Sequence, residues 1–84
     1  MIRFGMRRFT RADAGRRIDR FYVVDVQRDL FDRATVWLEW GRRGQPGRLR
    51  RKVYADPADA DREAARVIRR RLQRGYRETA LRRS

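Results

Sequence analysis

Between positions 42 and 52 the chain sets six cations, Arg42, Arg43, Arg48, Arg50, Arg51 and Lys52, in eleven residues that contain no acid. Guanidinium groups are planar, permanently charged forks that match phosphate oxygens, and a cluster on adjoining strand ends creates a field able to hold several phosphates. The stretch also contains Gly44, Pro46 and Gly47 and is entered through Gly41. Such a loop permits positive φ and lets the backbone come close to a neighbouring strand or a ligand. A solvated edge that merely discourages strand pairing would carry charge too, but mixed signs would serve it equally well. Directly before the run, Trp40 stands at a strand end. Its ring could present a face to a sugar or base, or, sharing a side with Val36 and Leu38, could belong to the core.

A second basic set, Arg62, Arg66, Arg69, Arg70 and Arg74, falls on the outer side of a helical segment. Ordinary amphipathicity accounts for most of it, with Asp59 beside Arg62 and Glu63 beside Arg66 forming helical pairs. Its C-terminal end, with Arg77, could extend a basic surface begun at the loop. Catalysis is poorly served. No histidine or cysteine occurs, so the usual general base, the thiol nucleophile and the imidazole or thiolate metal ligands are missing. Asp56, Asp59, Asp61 and Glu63 cluster in sequence, yet helix capping and dipole compensation explain them. No Gly-Lys-Ser/Thr phosphate loop is present either. The expectation is a non-catalytic chain with no metal, no cofactor and no small-molecule substrate.

Eighty-four residues make one domain with room for a single thin core, and without disulfides that core must hold by packing and hydrogen bonding. The charge is 24 basic against 11 acidic residues, +13 in all, and only Lys52 among the cations is not arginine. GC-rich codon usage explains arginine over lysine; it does not explain the excess of positive charge, because such codons encode aspartate equally well. Residues 1–9 lack the apolar stretch of a signal peptide, and no apolar run could span a bilayer. A soluble cytoplasmic protein is expected, with no membrane partner.

Periodicity places the elements. Residues 2–9 alternate Ile2, Phe4 and Met6 with polar residues, as in a half-buried strand, with Phe9 out of phase and residues 10–17 reading as a polar loop. Residues 18–28, rich in β-branched and aromatic side chains, predict a central strand. In the turn at 29–33, Leu30 and Phe31 are expected to fold back and plug one end of the core. Residues 34–40 put Val36, Leu38 and Trp40 on one face and Thr35, Trp37 and Glu39 on the other. Residues 48–54 set Leu49 and Val53 against a basic row, Arg48, Arg50 and Lys52, ending in Tyr54. A helix follows, with Asp56 as N-cap, Pro57 at its first position, Asp59 as capping-box partner and Gly75 closing it. Its stripe is Ala60, Ala64, Val67, Ile68 and Leu72. Beyond Tyr76, apart from Leu81, the tail is expected to fray. The fold predicted is therefore α+β: an antiparallel sheet of about four strands with one long C-terminal helix across one face. The other face, with Trp37 and Tyr54, would be solvated or offered to a partner.

Trp40, Gly41 and Arg42 belong to a wider pattern. Arg20, Phe21 and Tyr22, then Leu30 and Phe31, then residues 40–44 with Gly47, and finally Arg74, Gly75 and Tyr76 occur in the order seen in bacterial WGR domains. The chain resembles that family from about residue 2 to residue 77, and the resemblance implies a single WGR domain over 1–84 with the sheet-and-helix fold already reached. It departs at Arg43, where an aliphatic residue is usual, at Pro46, which stiffens the loop, and at Arg71, where many relatives have lysine. In poly(ADP-ribose) polymerases that respond to broken DNA, the domain binds near a DNA end, its tryptophan against the end nucleotide's sugar and its arginine linking domains and DNA. The resemblance transfers those roles to Trp40 and Arg42 and implies nucleic acid, DNA ahead of RNA, at ends or breaks. The expected binding residues are Trp40, Gly41, Arg42, Arg43, Arg48, Arg50, Lys52, Arg74 and Tyr76. The competing expectation is a protein-interaction module whose sheet face and Arg42 dock an acidic protein or an enzyme.

Overall fold

The computed structural model describes residues 5–79. Its strands are β1 (Arg7–Asp13), β2 (Ile18–Arg28), β3 (Ala34–Arg42), β4 (Arg48–Tyr54) and β5 (Arg77–Thr79), with helix α1 (Pro57–Gln73) between the last two. They form one antiparallel sheet in the order β4-β3-β2-β1-β5, and α1 lies across one face. The α+β class holds, with a fifth strand beyond the four expected.

Register decides which side chains meet the helix. Phe9 lies opposite Tyr22, Tyr22 opposite Trp40, Val24 opposite Leu38 and Val26 opposite Val36, so these share the covered face. They pack with Ala34, Ala60, Ala64, Val67, Ile68 and Tyr76 in one cluster. Two fully buried alanines let the helix sit close to the sheet. The Asp56 carboxylate accepts from the Ala58 N–H at 2.9 Å, and Pro57 takes the first turn, as expected of a capped start. Asp59 does not act as capping-box partner; its carboxylate bonds Arg62. At the other end Gly75 is left-handed (φ 91°), and the N–H groups of Gly75 and Tyr76 donate to Leu72 and Arg71 carbonyls at 3.1 Å, a Schellman closure. That closure turns the chain so that Tyr76 enters the core and β5 can pair with β1.

Several expectations are corrected. The first strand runs over Arg7–Asp13, with Thr10 to Ala12 paired in the sheet where a loop was expected. Phe9 does fall out of phase with Met6, which lines the open face: its pairing with Tyr22 puts odd-numbered β1 residues under the helix, where Phe9 is wholly buried. Ile2 and Phe4 lie outside the described residues, as do Leu81 and the rest of 80–84. Leu30 and Phe31 do not plug the core; they are 98% and 76% exposed. The Asp29 carboxylate accepts from the N–H groups of Phe31 and Arg33 at 2.8 and 3.0 Å, and this tight turn projects both apolar side chains beyond the sheet. The Phe31 ring meets the Arg33 guanidinium instead, at 5.4 Å. Leu72 likewise stays half exposed, so the helical stripe effectively ends at Ile68. Tyr54 does not share the open face with Trp37: it pairs with Ala34 and packs partly buried on the helix side, leaving Leu49 and Val53 on the open side.

Residues 77–79, the described part of the tail expected to fray, form β5, held to β1 by Arg7, whose guanidinium donates to both Glu78 oxygens at 2.8 and 2.6 Å. The hydrogen bonds from Arg7 hold the Glu78 carboxyl below its ordinary value, against the opposing effect of burial. A carboxyl depressed in the folded state contributes stability above its unfolded value of about 4.3 and loses it as pH falls. NMR spectra should therefore show the 77–79 amides losing their strand shifts below about pH 4 while the Phe9 and Val24 amides keep theirs. Among the described residues no helix is long and apolar enough to cross a membrane.

Candidate nucleic-acid interface

Two aromatic residues of the motif, Trp40 and Tyr76, meet at a third, Tyr22. Its ring stacks on Trp40 with centroids 6.0 Å apart and planes 18° from parallel, and meets Tyr76 edge-on at 6.3 Å. The Arg71 guanidinium lies over Tyr22 at 4.8 Å and over Tyr76 at 5.8 Å. Arg71 Nε is buried and donates to no acceptor among the described residues. Burial pushes the Tyr22 phenol above its ordinary value, and the Arg71 charge opposes this. Tyr22 therefore stays neutral and acts as a platform. Trp40 packs on the core through Tyr22 and remains partly exposed.

On the same face a groove of about 250 Å3 opens between α1 and β4. Tyr22, Val36, Leu38 and Tyr54 are among its apolar lining, while Arg50 and Lys52 from β4 and Arg66, Arg70 and Arg71 from α1 bring positive charge. Glu63 is the acid that lines it, and it accepts two hydrogen bonds from Arg66, at 2.7 and 3.0 Å. Those bonds, together with the charges of Arg66, Lys52 and Arg50, hold the Glu63 carboxyl below its ordinary value despite partial burial. The cations thus act on one point from both walls.

A second basic row crosses the end of the sheet. Arg11 lies opposite Arg20 and Arg20 opposite Arg42, on the face that carries Tyr22 and Trp40. Like charges directly opposite destabilise a sheet, so folding alone does not account for this ladder. The helix ends against it: a Cβ on Gly75 would lie 3.6 Å from Arg11 Nε. The next rows inward end in Arg48, Arg50 and Lys52, which makes the positive surface continuous from the sheet end along β4 to the groove.

The expected binding residues take different parts. Arg48, Arg50, Lys52 and Arg74 make no ion pair among the described residues, and Lys52 rests over the Tyr54 ring at 5.2 Å. Arg42 donates to the Arg17 carbonyl at 3.2 Å, and Arg43 is held by Asp19 at 2.5 Å. Gly41 makes room: a Cβ there would lie 3.1 Å from the Gly47 Cα and 3.5 Å from the Phe21 ring. Gly47 is tighter still, its Cβ position lying 2.7 Å from the Phe21 ring and 2.8 Å from the Trp40 carbonyl. Tyr76 is buried beneath Arg71 and supports the platform. Sequence reasoning missed Arg11 and Arg20, which become neighbours of Arg42 only through strand register. It also set Arg66 and Arg70 on an outer helix face, although positions 63, 66 and 70 form a stripe flanking Val67, a spacing that could have revealed them.

A cationic face on a small sheet-and-helix domain, organised around a Trp-Gly-Arg strand end, is the class that these features define. The sequence profile of the WGR domain matches residues 6–83, and the chain belongs to that family. No curated protein and no solved structure matches it significantly.

Proposed function

We propose that the chain is a non-catalytic nucleic-acid-binding module that seats a phosphate backbone along the helix-side face of its sheet, with DNA as the preferred polymer. The observation that carries this reading is the continuity of cations from Arg11, Arg20 and Arg42 through Arg48 and Arg50 to Lys52, Arg70 and Arg71, with one acid, Glu63, in the groove. Polyanion binding gives such a ladder a purpose, because counterion release on contact with phosphates drives association. Trp40, fixed on one side by Tyr22, offers its accessible part between Arg42 and Arg48. A base or sugar of a DNA end placed there would gain about 1 to 3 kcal/mol from the ring. Gly41 and Tyr76 position this surface, and Arg74 extends it at the helix end. The absence of cysteine suits a reducing cytoplasm, where such a polymer is met.

Anisotropy titrations with blunt, 5′-phosphorylated and circular duplexes across a salt series test the reading. The wild type is expected to bind all three with a steep log-log salt slope and to favour free ends. Trp40→Ala should lose the preference for ends while keeping salt-dependent binding to circles, and Trp40→Phe, which retains a ring on Tyr22, should keep part of it. Arg42→Ala should weaken every duplex. Binding that is weak and indifferent to salt, beside salt-sensitive capture of an acidic protein, would overturn the assignment in favour of a protein-docking role.

A further inference from the structure

The face of the sheet turned away from the helix differs in charge from the face just described. A shallow cleft of about 260 Å3 lies there, lined by Met6, Val23, Gln27, Trp37 and Leu49, and its ionisable groups are two carboxylates, Asp25 and Glu39. Neither makes an ion pair among the described residues; Asp25 accepts one hydrogen bond, from the Gln27 amide at 3.0 Å. Among the described residues six of the 11 acids hold an arginine in an ion pair, and of those that do not, two face this one cleft. Two cations on this face rest on aromatic rings, not on these carboxylates: Arg51 lies over Trp37 at 5.5 Å and Arg8 over Phe21 at 5.6 Å.

Two further observations point outward. The Trp37 indole Nε1 is buried and donates to nothing among the described residues, and an unsatisfied buried donor is costly unless something arrives to accept from it. Around the cleft, Leu49, Val53 and Met6 are 64%, 53% and 49% exposed, and these are among the few large apolar side chains left open to water. Apolar surface rimmed by polar groups marks an interaction site.

We propose that this open face docks a protein partner that inserts a lysine or arginine side chain, flanked by apolar residues, between Asp25 and Glu39 beside Trp37. The partner's cation would meet both carboxylates, and its neighbours would cover Leu49 and Met6. A second copy of the chain is the less suitable occupant, because each copy carries +13 and would be repelled. The site is on the opposite face from the cationic groove, so one molecule would hold a polyanion and a protein together. It does not depend on the nucleic-acid reading.

The Trp37 indole N–H resonance, assigned by its loss in Trp37→Phe, reports occupancy in NMR titrations of the 84-residue chain. Acetyl-Leu-Arg-Leu-amide is expected to shift it saturably, and acetyl-Leu-Glu-Leu-amide to leave it in place. Glu39→Gln should weaken the arginine peptide by roughly tenfold, and Asp25→Asn by a similar factor. Because Asp25 is buried and its variant could fold poorly, Glu39→Gln, at a less buried position, keeps the test open. Equal shifts from both peptides, no saturable shift, or a shift that follows protein concentration alone would each overturn the proposal, the last in favour of self-association.

Discussion

Changing Arg50, Lys52 and Arg70 together to glutamine is expected to weaken duplex DNA binding on the order of 100-fold near 0.1 M salt. Each phosphate neutralised on a duplex adds about 0.9 to the log-log salt slope, so three lost contacts should flatten the slope by about 2.7. The effect depends on placement as well as net charge. Arg16, Arg33 and Arg62 are already paired with Asp13, Asp29 and Asp59 away from the groove, and changing these three removes the same formal charge. Their loss should alter affinity only a few-fold, through the general field of the molecule. The complementary change works in the other direction. Glu63→Gln removes the groove's acid and releases Arg66, so affinity should rise several-fold at low salt and the slope should steepen. Anisotropy titrations of the four proteins at matched salt concentrations separate these outcomes.

Phe9→Ala is expected to lower stability by about 3 to 5 kcal/mol, the usual range for truncating a fully buried large aromatic. For a domain of this size that is most of the margin, and the melting temperature should fall by roughly 15 °C or more. Phe31→Ala and Leu30→Ala, on the other hand, should shift stability by no more than about 0.5 kcal/mol, because both side chains stand in water. Urea denaturation followed by fluorescence gives the three values directly. Residue type alone would rank the three differently, with the Leu-Phe pair at a turn looking like a core plug. Strand register and the closed hydrogen-bonded turn at Asp29 reverse that ranking.

The helix was the most legible element because its signals are local: Asp56, Pro57 and Gly75 stop and start it within a turn, and the structure uses all three as the sequence implies. Strand 18–28 was legible from its density of β-branched and aromatic side chains and strand 48–54 from alternation, and both stand at the same bounds. What failed was information that resides in pairing. Nothing local to Thr10 or Arg77 says that each will lie beside a partner strand, and only the chain reversal at Gly75 brings residues 77–79 to the edge of β1. The same holds for the proposed binding face. Arg42, Arg48, Arg50 and Lys52 are visible as a run, whereas Arg11 and Arg20 join them across the sheet from positions about thirty and twenty residues earlier. Trp40 could not be placed as buried or exposed from its neighbours because it is partly each, stacked on Tyr22 on one side and open to solvent on the other.

Arginine side-chain NMR during titration with a short duplex is the most direct measurement of where the polyanion sits. The Nε–Hε resonances of Arg48, Arg50, Arg70 and Arg71 are expected to move first and furthest, while those of Arg33 and Arg62, held in ion pairs elsewhere, stay in place. Shifts of equal size at every arginine, or shifts confined to Arg51 and the open face around Trp37, would contradict the account.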